Sequence, residues 1–212
     1  MTLRRFIPPI GILTLSAALI SGLSYSPGAG LRGTAARAAS QTATVGKPAP
    51  AFDLPDVKSG KKTSLQALSQ GKKATVVMFI ATHCPISNAY NERMVSLAGK
   101  YSARGIAFAG INSNQTEPSA ECAQHAAAHK FPFPVLKDAD SAVADEYDAR
   151  VTPETYVIDS HGVLVYHGRI DNSADPSEAH THELTDALDS ILADRAIARA
   201  QTKAFGCSIK RG

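Results

Sequence analysis

The 212-residue chain is short of the groups that several protein classes need. It has only three cysteines, Cys84, Cys122 and Cys207, and none precedes residue 84, which excludes a lipid-anchored bacterial lipoprotein. Three thiols cannot all pair within one molecule, so one must be free, mixed or intermolecular. There is no internal repeat, and no basic patch or aromatic-interleaved stripe of the kind that binds nucleic acid. Residues 1–38 contain no acid, only Arg4, Arg5, Arg32 and Arg37. Without those four, the 22 basic side chains fall to 18 against 19 acidic, and the basic character of the whole chain disappears.

What those first residues do contain is a basic start, an apolar run over 6–23 and a small-residue stretch ending Ala36-Arg37-Ala38-Ala39. This is the shape of a secretory signal peptide with an A-x-A cleavage site. Pro8, Pro9 and scattered polar residues make the run a poor permanent span, so contact with a membrane is expected only if the segment stays uncleaved. The expected location is periplasmic or extracellular. Residues 39–44 read as a flexible lead-in, 45–195 as one domain, and 196–212 as a tail carrying Cys207. About 170 residues suffice for one sizeable core. An exported protein works where disulfides persist, so the cysteines read as redox groups.

The domain alternates strand and helix. Residues 74–81 form a continuous apolar run with β-branched members, a strand buried on both faces. After Pro85, apolar residues recur at Ile86, Tyr90, Met94, Leu97, Ala98 and Tyr101, a helical stripe ended by Gly105. Further strands are read at 106–111, 133–136, 155–159 and 163–167, the last two joined as a hairpin through Ser160-His161-Gly162. Helices are read at 117–129, 142–147 and 177–193. The order predicts an α/β fold, a central sheet with helices on both faces.

Cys84 falls at the end of the buried strand, immediately before Pro85 at a helix start. Unpaired backbone N–H groups and the helix dipole favour negative charge there, and the thiolate is the nucleophilic form of cysteine. Local sequence alone also allows a buried structural cysteine.

The segment Phe79-x-Ala81-Thr82-His83-Cys84-Pro85-x-Ser87 resembles the active site of thioredoxin-fold proteins, in particular the exported TlpA-like and AhpC/TSA redoxin groups, which usually read F-W-A-x-W-C-P-x-C. Residues 47–54 are similar to their entry segment, Val151-Thr152-Pro153-Glu154-Thr155 to their cis-proline loop, and Gly162-Val163-Leu164 with Gly168-Arg169-Ile170 to their hairpin. The resemblance implies a thioredoxin-like fold with a mixed sheet. It also implies a cis Pro153, with Thr152 facing the Cys84 sulfur and free to pair with an extended substrate. The activity implied is thiol–disulfide oxidoreduction or thiol-dependent peroxide reduction, without a cofactor. Its substrates would be protein or small-molecule disulfides or peroxides, and an external thiol would be the reductant.

The chain departs from these relatives in three places. Ser87 replaces the second cysteine of C-x-x-C, so resolution of a mixed disulfide falls to Cys207, to Cys122 or to an external thiol. Met78 stands where thioredoxins carry a buried acid. Val77 and Ala81 replace the proline and the hydroxyl residue of typical peroxiredoxins, and Thr82 substitutes only with altered geometry. The tail, up to about 40 Å long if extended, reaches the site easily. Its Thr202-x-Ala204-x-Gly206-Cys207 pattern is similar to the ends of some related redoxins, and Phe205 and Ile209 suggest that it docks.

His83 either supports the thiolate as an imidazolium or shuttle, or simply replaces an aromatic residue. His125 with His129, and His180 with His182, are incomplete as metal sites. A copper-binding reading on the same fold suits thiolate and imidazole, but such relatives use C-x-x-x-C, and Asn88 stands four residues after Cys84.

Overall fold

A computed structural model describes residues 42–211; the expected signal segment, 1–38, lies outside the described residues. Five strands make the central sheet: β3 (Ala74–Phe79), β4 (Ile106–Asn112), β5 (Val135–Lys137), β7 (Glu154–Asp159) and β8 (Leu164–Gly168). Their order is β5-β4-β3-β7-β8, with β3, β4 and β5 parallel and β7 and β8 antiparallel. Every residue of β3 is buried, as its unbroken apolar run requires of a strand covered on both faces.

The period of two in β3 divides the core. Val76 and Met78 pack with Met94, Tyr101, Leu184 and Leu188, from α3 (Asn91–Ser102) and α6 (Glu183–Leu192), on one face. Val77 and Phe79 pack with Leu65 of α1 (Leu65–Ser69) and Val143 of α5 (Ala142–Glu146) on the other. The mixed sheet with helices on both faces is thioredoxin-like. Helix α4 (Ser119–Ala128) packs beside β5. Before β3, β1 (Asp53–Pro55) and β2 (Lys62–Ser64) pair antiparallel. Among the described residues, no helix is long and apolar enough to cross a membrane.

Several boundaries differ from the sequence pattern for polar reasons. The stripe after Pro85 is two helices, α2 (Pro85–Ala89) and α3, because Tyr90 closes a tighter turn onto the Ser87 carbonyl and sends its hydroxyl to buried Asp171 at 2.8 Å. The helix read at 177–193 starts only at Glu183. Asn172 Oδ1 accepts the amides of His180 and Thr181, both at 2.8 Å, holding that stretch out of the helix. Strand β5 begins at Val135 because Pro134 has no N–H to give the ladder, although its carbonyl accepts from Gly110.

The tail adds a small antiparallel pair that periodicity does not register: β6 (Val151–Thr152) with β9 (Cys207–Ser208), in the register Thr152 opposite Cys207.

Candidate functional site

Because β3 and β4 run parallel and β7 runs antiparallel to β3, one end of the sheet gathers the end of β3, the end of β4 and the start of β7; Phe79 lies opposite both Ile111 and Glu154. Cys84 follows β3 at this end. It is the N-cap of α2, with Pro85 in the first turn, and its sulfur accepts the Ser87 N–H at 3.2 Å. The thiol also lies 3.3 Å from the Thr152 carbonyl, its acceptor when protonated. The Thr152–Pro153 peptide bond is cis.

Cys207 sits against this group. The β6–β9 register sets it opposite Thr152, the residue whose carbonyl the Cys84 thiol approaches at 3.3 Å. Burial pushes the Cys84 pKa up. The neighbouring Cys207 and Thr152 side chains and the Ser87 and Cys207 N–H groups outweigh that effect, leaving the pKa below that of an ordinary thiol. Cys207 moves the opposite way, first because its hydrogen bond to Cys84 favours keeping its proton, then through burial. One thiol is therefore poised to ionise and its neighbour to stay protonated. No disulfide joins any two of the three cysteines in this structure.

Ser87 is fully buried and accepts the Ala81 N–H at 3.2 Å. In the position of a second thiol it ties the turn together. Cys122 faces elsewhere: the Thr82 hydroxyl reaches its sulfur at 3.7 Å, and its own thiol lies 3.8 Å from the Glu117 carbonyl. Burial raises its pKa, only partly countered by Thr82. Thr82 thus contacts Cys122 rather than Cys84. His83 is 64% exposed, with its ring near the carboxylates of Glu117 (3.8 Å) and Glu121 (3.3 Å).

The AhpC/TSA family model matches residues 45–167, more than half of the chain. The chain belongs to the AhpC/TSA family.

Among relatives of this AhpC/TSA chain, the thiol:disulfide interchange protein DsbE of Yersinia pestis is 31% identical over 126 residues, 59% of this chain and 64% of that protein. The match therefore spans less than two thirds of that relative's length. The DsbE of Allochromatium vinosum is 28% identical over 163 residues, 76% of this chain and 81% of the relative. A crystal structure of an uncharacterized conserved protein from Geobacillus kaustophilus is 34% identical, with a TM-score of 0.75 over 80% of this chain and 93% of the other.

Two acids that the motif reading passed over hold this AhpC/TSA site in shape. The Glu117 carboxylate is 2% exposed and accepts four N–H groups: Thr82 N (2.8 Å), His83 N (3.0 Å), Asn112 Nδ2 (2.5 Å) and Asn114 Nδ2 (2.9 Å). Burial alone would raise its pKa, but these donors bring it below the ordinary carboxylate value. Glu117 had read as the first residue of a helix. The helix begins at Ser119 instead, and Glu117 turns inward to fix the loop before Cys84.

Glu154, just after Pro153, does the same for the opposite wall. It accepts Arg150 N (2.8 Å) and Val151 N (3.1 Å) and pairs with His167 Nε2 at 2.7 Å. An acid flanking each of the two loops was visible in the sequence, but nothing in its spacing announced the inward turn. Asn88 joins the loop to α4, giving Nδ2–H to the Thr82 carbonyl (2.9 Å) and contacting His125 Nε2 through Oδ1 (2.8 Å). His125 is thus engaged by the protein, beside His129 at a ring separation of 4.5 Å.

Proposed function

We propose that this chain is an exported thiol–disulfide oxidoreductase in which Cys84 is the attacking thiolate of a C-x-x-S site and Cys207 is the resolving thiol. The observation that carries this reading is the β6–β9 register, which sets Cys207 opposite the Thr152 whose carbonyl the Cys84 thiol touches at 3.3 Å, with the pKa of Cys84 lowered and that of Cys207 raised. The DsbE relatives support the reaction class.

The Cys84 thiolate attacks one sulfur of a substrate disulfide, and that S–S bond breaks. A mixed disulfide forms, and the first substrate thiolate leaves and takes up a proton. Cys207 then gives up its proton and attacks the Cys84 sulfur, releasing the second substrate thiolate. The substrate has gained two electrons, and the chain holds a Cys84–Cys207 disulfide, which two equivalents of an external thiol reduce. The Ile86 and Ser87 N–H groups lie beside these two sulfurs and stabilise whichever is anionic. Cys122, occupied with Thr82 and Glu117, takes no part, and Thr82, His83 and Ser87 shape the loop. In the same reading residues 1–38 are removed on export, leaving the domain from 45 onward with its docked tail.

Non-reducing peptide mapping after stoichiometric oxidation tests the pairing. A Cys84–Cys207 peptide is expected, formed as readily in Cys122→Ser. Pairing of Cys84 with Cys122, or loss of the disulfide in Cys122→Ser, would overturn the assignment. Export is tested by sequencing the N-terminus of the mature protein, expected close to Ala39.

A further inference from the structure

The docked tail covers the sulfur it would resolve. Cys84 is 4% exposed, and what lies over it is β9, whose Cys207 is the register partner of Thr152. Among the described residues β6 has no other strand partner, so the tail alone satisfies that edge beside the nucleophile.

The tail is held by a definite sequence. Phe205 packs on Tyr90 at a ring separation of 6.3 Å, and Ile209 is buried in the second half of the core. Between them Gly206 has φ +157°, and a Cβ there would lie 2.0 Å from the Thr152 carbonyl oxygen and 2.7 Å from its carbon, both backbone atoms that cannot swing away. An apolar residue, a glycine, the reacting cysteine and an apolar residue two places on are therefore what this edge accepts.

Resting on the thiol-exchange reading of Cys84 and on the pairing of Thr152 with an extended substrate that the resemblance implies, we propose that this edge selects polypeptide disulfides whose reacting cysteine directly follows a glycine, and that they enter by exchanging with the tail. β-Strand addition supplies the affinity through main-chain pairing, and the missing Cβ supplies the specificity. The tail is the built-in example of such a ligand. Polypeptides with a side chain before the cysteine are turned away at the Thr152 carbonyl, whereas small disulfides need no strand position.

The test uses the full-length Cys207→Ser protein and two peptides, Ala-Phe-Gly-Cys-Ser-Ile-Lys and its counterpart with alanine before the cysteine, each as a mixed disulfide with 2-thiopyridine. Cys84 attacks the peptide sulfur, the peptide–pyridyl S–S bond breaks, and the proton from Cys84 leaves on the released pyridine-2-thione, which is read by absorbance. The glycine peptide is expected to react about tenfold faster or more. The preference is expected to persist in Gly206→Ala/Cys207→Ser, with the glycine peptide faster still because the altered tail no longer reseats. Rates for the two peptides within about twofold in both proteins would overturn the proposal. Free 2,2′-dithiodipyridine separates the two readings: if Cys84 reacts with it while the peptides are not distinguished, only the docking proposal fails, and if Cys84 is inert even to it, thiol exchange fails and docking with it.

Discussion

Cys84 is a cysteine whose burial and hydrogen bonding oppose each other, and the donors win. Its reactivity at neutral pH therefore depends on groups that are individually replaceable. Thr152→Val removes one donor at constant shape, so the thiolate loses stabilisation and the pKa rises. We expect the midpoint of Cys84 alkylation against pH to move up by about one unit, equivalent to the loss of one hydrogen bond to a charged group. Mass-spectrometric alkylation rates from pH 5 to 10 measure it, and an unmoved midpoint would remove the Thr152 hydroxyl from the account. Glu117 acts through the backbone. Glu117→Gln presents an amide where two loop N–H groups need acceptors, at a cost of about 2 kcal/mol in urea unfolding. The native pKa of Glu117 is lowered, so its contribution is complete above the unfolded value and fades as pH falls through the folded one. The gap between wild type and variant should be full at pH 7 and shrink below about pH 4.

Elements show where local pattern suffices and where it stops. Strand β3 and the β7–β8 hairpin appear where their apolar runs and Gly162 place them, because burial on two faces and a tight turn leave local signatures. The break at Tyr90 and the late start of α6 do not, because they are set by Asp171 and Asn172, distant or irregular partners that no helical period contains. The tail is the extreme case. The Thr202 N–H donates to the His167 carbonyl of β8 at 2.9 Å while the His167 N–H donates to the Ala200 carbonyl at 3.0 Å, and a Cβ on Gly168 would lie 2.0 Å from the Thr202 hydroxyl. Gly168→Ala is therefore expected to strip amide protection from Thr202 in hydrogen–deuterium exchange while leaving β3 and β4 protected. Unchanged protection at Thr202 would show that the tail is held without this approach.

For the whole molecule, a Cys84–Cys207 bond would tie the end of the chain to the centre of the sheet. A closed loop of about 120 residues is worth about 4.9 kcal/mol by chain entropy, so the oxidised protein should unfold at distinctly higher denaturant than the reduced one. Equal midpoints in paired urea melts, with the disulfide verified by mapping, would contradict this. The difference should vanish in Cys207→Ser and survive in Cys122→Ser. A protein that is firmer when oxidised suits a compartment where disulfides persist.

By itself the sequence determined the α/β order, the central strand, the strand-to-helix position of Cys84 and the absence of a second thiol at Ser87. These follow from period, composition and single residue identities, all local quantities. Only the tertiary structure placed Cys207 opposite Thr152 and turned Cys122 toward Thr82 and Glu117, and it alone turned Glu117 and Glu154 into the supports of the two loops. Those outcomes depend on which groups a folded sheet brings to one end, and on a tail whose docking rests on the missing Cβ of Gly206 against the backbone of Thr152. Contacts between residues so far apart in the chain leave no period to read.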